Sequence, residues 1–214
     1  RQRQMCIRDS VDPETGQETF WKDVVDGDGK VTGREKTFNI NEATQYEIGD
    51  ALPDVTGGLR TSFRWKNFDF MLAAAYQIGG RQWDGNSANV YSPGRAGFTA
   101  SQDLVGNTWT PEHTNAKFPK LMFNGTWNFV RSNCDYLYRD ASYFSLKTIN
   151  VGYTLPKRWT SKICIESLRV FFAADNLYFT SAHTGFDPRT AYTGQNAFGF
   201  PQAKTFTFGI TMNL

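Results

Sequence analysis

The sequence predicts an all-β fold: an antiparallel segment of a transmembrane β-barrel, with about five long up-and-down strands and an open sheet at its edges. Three observations predict it. Apolar residues recur at every second position over stretches of about ten residues, the period of a strand with one oily and one polar face. The connections between these stretches alternate short, long, short, long. Aromatics make up 15% of the chain and accompany 19 glycines, which suits strands, turns and an aromatic girdle at a membrane interface.

The elements follow in order. Residues 1–10, RQRQMCIRDS, resemble translated sequencing adapter and are set aside as a non-native leader. Residues 11–56 are expected to be an extracellular loop region, and 57–214 the barrel strands with their loops. In 57–66, Leu59, Thr61, Phe63 and Trp65 share one face, and Arg60, Ser62, Arg64 and Lys66 share the other. Lys66-Asn67 suits a tight turn. The alternation resumes over 68–78 with Phe68, Phe70, Leu72, Ala74, Tyr76 and Ile78 on the apolar face.

From 79 to 134 the pattern is lost in a segment rich in Gly, Asn, Ser, Thr and Pro, with a short helix expected from Ser101, its cap, to Val105. Such a long loop is unusual in a compact soluble domain but expected outside a barrel. Residues 136–155 read as the third strand, with Ile149, Val151, Tyr153 and Leu155 apolar. Phe144 and Leu146 have the opposite parity, which predicts a β-bulge or an upper half protruding from the membrane. Pro156 ends this strand. Leu168, Val170, Phe172 and Ala174 then alternate with Arg169, Phe171, Ala173 and Asp175. A second loop, 180–204, leads to the last strand, 206–214, whose apolar set is Phe206, Phe208, Ile210, Met212 and Leu214.

Barrels of outer membranes have short periplasmic turns and long external loops. Placing the end of the chain in the periplasm puts 180–204 and 79–134 outside and both short turns inside, so every length matches its side. Five strands cannot close a barrel whose smallest natural form has about eight. An open edge in hydrocarbon leaves costly unpaired backbone groups. The chain is therefore expected to be the C-terminal part of something larger.

Composition narrows the function. The 23 Lys and Arg against 21 Asp and Glu leave a net charge of +2, too balanced to argue for nucleic acid. No run is long and apolar enough for a transmembrane helix. Thr207, Gly209, Met212 and Leu214 resemble the polar-x-Gly-x-x-apolar-x-apolar assembly signal of outer-membrane barrels.

The match becomes specific at Asp-Ala-Ser-Tyr-Phe-Ser-Leu-Lys-Thr-Ile-Asn-Val-Gly-Tyr-Thr-Leu-Pro, residues 140–156, and at Ser-Leu-Arg-Val-Phe-Phe-Ala-Ala-Asp-Asn-Leu, residues 167–177. Gly-Phe-Asp-Pro at 185–188, Phe-Pro-Gln-Ala-Lys-Thr-Phe-Thr-Phe-Gly at 200–209, Pro-Asp-Val-Thr-Gly-Gly-Leu at 53–59 and Trp-Lys-Asn-Phe-Asp at 65–69 follow the same order and spacing. Over roughly residues 20–214 the chain resembles the C-terminal end of SusC/RagA-type TonB-linked outer-membrane proteins. The resemblance implies a plugged barrel of about 22 strands in the outer membrane of Bacteroidetes. It implies import of glycans or oligopeptides with a SusD-like surface lipoprotein as lid, driven through TonB by way of a plug, and insertion by the outer-membrane assembly machinery.

No residue set argues for an enzyme or a cofactor. Asp26, Asp28 and Glu35 fall at EF-hand spacing, but the first ligand position is Val24, so an exposed acidic turn competes with calcium. His113 and His183 lack partners placed for a catalytic triad or a zinc site. Asp187-Pro188-Arg189 reads as a loop turn. Cys134 and Cys164 are expected far apart and unpaired. Trp65, Tyr76, Tyr153 and Trp159 suit interfacial anchors. Trp83, Tyr91, Trp109, Trp127 and Tyr192 are candidates for contact with ligand or lid, or for a small core within the loop. The alternative function is a soluble secreted β-sandwich carbohydrate-binding module, which would bury the apolar faces between two sheets.

Overall fold

The computed structural model of the chain describes residues 3–7, 9–91, 99–122, 127, 134–163, 165–190, 195–196 and 201–213. Its strands are β1 (Arg3–Ile7), β2 (Asp9–Val11), β3 (Glu18–Val25), β4 (Val31–Thr37), β5 (Gln45–Asp50), β6 (Val55–Trp65), β7 (Phe68–Ile78), β8 (Arg81–Asp84), β9 (Tyr138–Asp140), β10 (Tyr143–Thr154), β11 (Ser167–Ser181), β12 (Gln195–Asn196) and β13 (Thr205–Asn213). Two short helices, α1 (Gly85–Val90) and α2 (Lys157–Thr160), interrupt them. The chain divides into two compact units. A strand unit holds Pro53–Gly79, Ala141–Pro188 and Phe200–Leu214, and a loop unit holds Arg1–Leu52, Gly80–Asp140 and Arg189–Gly199.

The strand unit is one five-stranded antiparallel sheet in the order β13-β11-β10-β7-β6. Each strand pairs with its predecessor and successor within the unit, the up-and-down topology that the loop rhythm predicts. Lys66 turns β6 into β7 with a left-handed φ of 53°. Asn67 ties that turn to the end of β10: its side-chain amide donates to the Thr154 carbonyl at 2.7 Å, and the Thr154 N–H donates back to the Asn67 carbonyl at 2.8 Å.

Register turns the separate alternations into two continuous faces. Phe63 pairs with Phe70, Phe70 with Val151, Val151 with Phe172 and Phe172 with Phe208. One step along, Trp65, Phe68, Tyr153, Val170 and Ile210 form the next row. The rows between them run Arg64, Asp69, Gly152, Phe171 and Gly209 on the opposite face. A period of two on every strand, locked in register, makes one apolar and one polar surface.

The bulge expected from Phe144 and Leu146 is present. Leu146 pairs with Ala74 and Tyr178, whereas Thr148 pairs with Ala73 and Asp175. The register shift on either side of Lys147 reverses parity on β10 and brings Phe144 and Leu146 onto the face of Ile149 and Val151. On β11, Asn176 takes up the added length with a left-handed φ of 53° and donates from its side chain to the Ala203 carbonyl.

One boundary differs from the expected third strand, 136–155. The long strand begins only at Tyr143, and residues 135–140 form a 3-10 turn and the short β9, which pairs with β8 in the loop unit. Leu137 and Tyr138 are buried there, so local packing overrides the alternation that would extend β10. The expected helix at 101–105 is a 3-10 turn, Gln102–Leu104, and the Ser101 side chain accepts the Asp103 N–H.

Among its described residues the loop unit carries three small sheets, in the orders β1-β5, β2-β3-β4 and β12-β8-β9. Residues 3–7, set aside in the sequence as leader, pair here with β5. The core gathers Phe20, Tyr91, Leu104, Phe118, Trp127, Cys134 and Leu137. Long loops are stable when their own side chains pack in this way.

Candidate functional site

On the edge strands the outward residues stay bare: Leu59 is 62% exposed, Phe63 59%, Phe208 80% and Ile210 71%. On the central strands Phe70, Leu72, Val151 and Phe172 are half-buried by their neighbours in the sheet, and the described residues of the unit form no second sheet to cover them. An uncovered apolar face of this extent is not what a soluble domain tolerates. The eleven residues of β7 rise about 33 Å and, at a tilt of about 40°, span about 25 Å, the height of the apolar band of an outer-membrane barrel. Trp65, Phe68, Tyr153 and Trp159 stand exposed at the short-turn end, and Tyr76, Phe144 and Tyr178 at the long-loop end. Ring-bearing residues at both rims fit the two interfaces of a bilayer.

The opposite face carries polar chemistry. Arg169 on β11 grips Asp69 on β7 with two parallel hydrogen bonds, Nε to Oδ1 at 3.0 Å and Nη2 to Oδ2 at 2.5 Å. It spans β10 to do so, with Asn150 Oδ1 at 3.4 Å from Nη2. Gly152 makes the bridge possible. A Cβ at that position would lie 2.6 Å from Asp69 Oδ1 and 2.7 Å from Arg169 Cζ. Forked Arg–carboxylate pairs fix geometry as well as charge. Farther up, Thr148 donates to Asp175 at 2.8 Å. At the turn end a groove of about 410 Å³ is lined by Arg64, Lys66, Asn67, Asp69, Thr154 and Arg169, with Phe68 at its edge.

Gly209 has its own steric reason. It pairs with Phe171, whose ring folds over the glycine and occupies the space a Cβ would take. Thr207 lies on this same polar face, paired with Ala173. Met212 faces outward, paired with Leu168, and Leu214 lies outside the described residues. Gly209→Val should therefore strain β13 by about 1–3 kcal/mol through overpacking. Phe171→Ala in the same chain should restore much of that loss. Urea unfolding of the two variants checks this, and a Gly209→Val protein as stable as the parent would contradict it.

The remaining candidates divide by burial. Tyr91 and Trp127 are buried. Trp127 stacks on Phe118 at 5.9 Å, and Tyr91 meets Phe118 at 5.3 Å. Burial, then the bond it donates to Asp103 at 2.6 Å, raises the Tyr91 hydroxyl above its ordinary pKa. Trp83 packs on the rim of this core. Trp109 lies half-buried over Gly16 and donates to the Pro13 carbonyl at 3.0 Å. Tyr192 lies outside the described residues.

Asp26 and Asp28 sit in the β3–β4 hairpin turn. Asp26 Oδ1 accepts the N–H groups of Asp28 and Lys30, and Glu35 lies on β4 near Lys22 at 3.6 Å. The hairpin replaces the twelve-residue loop of an EF-hand. Among the described residues no three His, Cys, Asp or Glu converge on a common centre. His113 closes a turn onto Thr110, and Phe186 donates its N–H to the His183 carbonyl. Cys134 is buried as a free thiol, and burial pushes its pKa far up, which makes it inert. Cys164 lies outside the described residues.

The Arg169–Asp69 bridge and the Phe171–Gly209 pair escaped sequence reasoning. Their parities were legible, since all four fall on polar-face positions. Which of them meet depends on register, and the Arg169–Asp69 bridge joins strands 100 residues apart in sequence.

An antiparallel up-and-down sheet with a bare apolar face and a polar one is a segment of a transmembrane β-barrel wall. No family model matches the chain. It is 30% identical over 214 residues to TonB-dependent receptor P3 of Formosa agariphila, covering 95% of this chain and 19% of that protein. It is 25% identical over 201 residues to TonB-dependent receptor SusC of Bacteroides thetaiotaomicron, covering 90% of this chain and 19% of that one. The solved RagAB peptide transporter superposes with a TM-score of 0.79 at 22% identity, over 97% of this chain and 22% of that chain. These likenesses support a SusC/RagA-type fragment, and the chain spans about a fifth of the length of the curated relatives it matches.

Proposed function

We propose that this chain forms the C-terminal wall of an outer-membrane TonB-dependent transporter that imports glycans or oligopeptides together with a SusD-like surface lipoprotein. The observation that carries this is the uncovered apolar face, backed by a polar face and bounded by aromatic residues at both ends. The apolar face meets lipid, and the polar face with Arg169, Asp69 and Asn150 lines the lumen. TonB-dependent receptors are its relatives, which supports import as the task, and the peptide transporter shares the fold.

In this reading TonB acts through a plug that lies elsewhere in the receptor. Thr207, Gly209, Met212 and Leu214 direct insertion by the assembly machinery. Trp83, Trp109 and Tyr192 are the loop aromatics assigned to cargo or lid, while Tyr91 and Trp127 shape the loop that presents them. No cofactor and no catalytic step enter. The sandwich module finds no support in the strand unit, whose described strands form a single sheet.

The test is uptake by cells carrying the full-length receptor, with and without the gene for its lipoprotein partner. The expected result is recovery in the outer-membrane fraction and accumulation of labelled oligopeptide or oligosaccharide only when both proteins are present. Recovery in the soluble periplasmic fraction would overturn the proposal. Removing residues 212–214 should strongly reduce outer-membrane levels, and an unchanged level would remove the assembly role.

A further inference from the structure

The groove at the turn end of the polar face carries more charge than its own bridge uses. Its lining holds three cations, Arg64, Lys66 and Arg169, and a single carboxylate, Asp69. Both oxygens of that carboxylate are engaged by Arg169, so Asp69 is committed to a neighbour on the far side of β10. Arg64 stands opposite Asp69 in the register. Lys66 lines the groove from the tip of the turn on a left-handed backbone, and its ammonium lies 5.1 Å from the centre of the outward-facing Trp65 ring, so it serves the groove by swinging off that ring. The reciprocal Asn67–Thr154 bonds hold the floor rigid. The space, about 410 Å³, admits a carboxylate with part of the molecule that bears it.

We propose that this groove is a carboxylate-binding site, with Arg64 and Lys66 supplying the charge and the Arg169–Asp69 bridge holding the wall that positions them. Clefts lined by one sign of charge raise the local concentration of the opposite sign. Arg64 already feels the charge of Asp69 across the strand pair, but both oxygens of that carboxylate are bonded to Arg169, so a second carboxylate would give Arg64 and Lys66 a partner of their own. The proposal rests on the transporter reading, in which this face lines the lumen. The carboxylate has two sources there: an acidic cargo in transit, or an acidic segment of the receptor itself.

Equilibrium binding to the purified full-length receptor separates them, comparing the parent with Arg64→Gln/Lys66→Gln. The probes are pentaglutamate and pentaglutamine, at low and high salt, with thermal melting measured in parallel. If cargo supplies the carboxylate, the parent prefers pentaglutamate about tenfold at low salt, and the double variant loses that preference. If the receptor supplies it, neither protein discriminates between the peptides, but the double variant melts lower than the parent at low salt and the gap closes at high salt. Equal peptide binding together with equal melting would overturn the proposal. Both proteins are first checked for outer-membrane insertion. Failure of the parent to insert would overturn the transporter reading and the groove with it, whereas normal insertion with no charge effect would overturn the groove alone.

Discussion

Replacing Phe118 by alanine is expected to cost the loop unit about 3–5 kcal/mol, the range for truncating a fully buried ring. Phe118 is fully buried and touches the rings of Tyr91 at 5.3 Å, Tyr136 at 5.3 Å and Trp127 at 5.9 Å. Its backbone also ties the unit together, accepting from Trp109 and donating to Asn107. Removing the ring leaves a cavity that surrounding side chains of a small core cannot refill. Hydrogen exchange of the amides of Leu104 and Leu137, both buried beside it, reads the loss locally. Protection that falls by less than about tenfold, which is about 1.4 kcal/mol, would show that the rings do not share one core.

Ile210→Arg is expected to cost about 2–4 kcal/mol in the folded receptor, the penalty for a cation on the lipid face near mid-depth. Ile210 is 71% exposed and lies midway along β13 with Phe206, Phe208 and Met212 on the same face. Its cross-strand partner Val170 is apolar, so the new guanidinium finds no carboxylate to meet. Thr211→Arg, one residue on, points to the polar face beside Arg169. There the charge stays in water and the cost is mild repulsion, under about 1 kcal/mol. Folding titrations into lipid vesicles compare the two. Equal costs, or a larger cost for Thr211→Arg, would mean that the faces are assigned the wrong way round.

How much of this was legible without coordinates differs between the units. In the strand unit alternation carried nearly everything. Phe68–Ile78 begins and ends where the pattern does, because side chains on a barrel wall report directly which face they occupy. Even the bulge could be read, since Phe144 and Leu146 are out of step with Ile149 and Val151 by one residue. The pairing that places Gly209 under Phe171, or Asp69 within reach of Arg169, could not be read. Parity limits each residue to a face, and the choice of partner along that face depends on register.

The loop unit was opaque for a different reason. Its strands are short, and its sheets join distant pieces, such as β1 with β5 and β8 with β9. A five-residue strand shows too little periodicity to stand out. The aromatics of residues 83–127 were compatible with a ligand surface and with a core, because both uses want large rings. Burial separates them: Tyr91 and Trp127 turned inward, while Trp109 kept an edge at the surface over Gly16.

The central claim is that one face of this sheet meets lipid and the other does not. Single cysteines carrying a fluorophore at positions 206 to 213, in the full-length receptor reconstituted into vesicles of bromine-labelled phospholipid, test it most directly. The account predicts alternation: strong quenching at Phe206, Phe208, Ile210 and Met212, and weak quenching at Thr207, Gly209, Thr211 and Asn213. Quenching of the second set, or none at either, would contradict it.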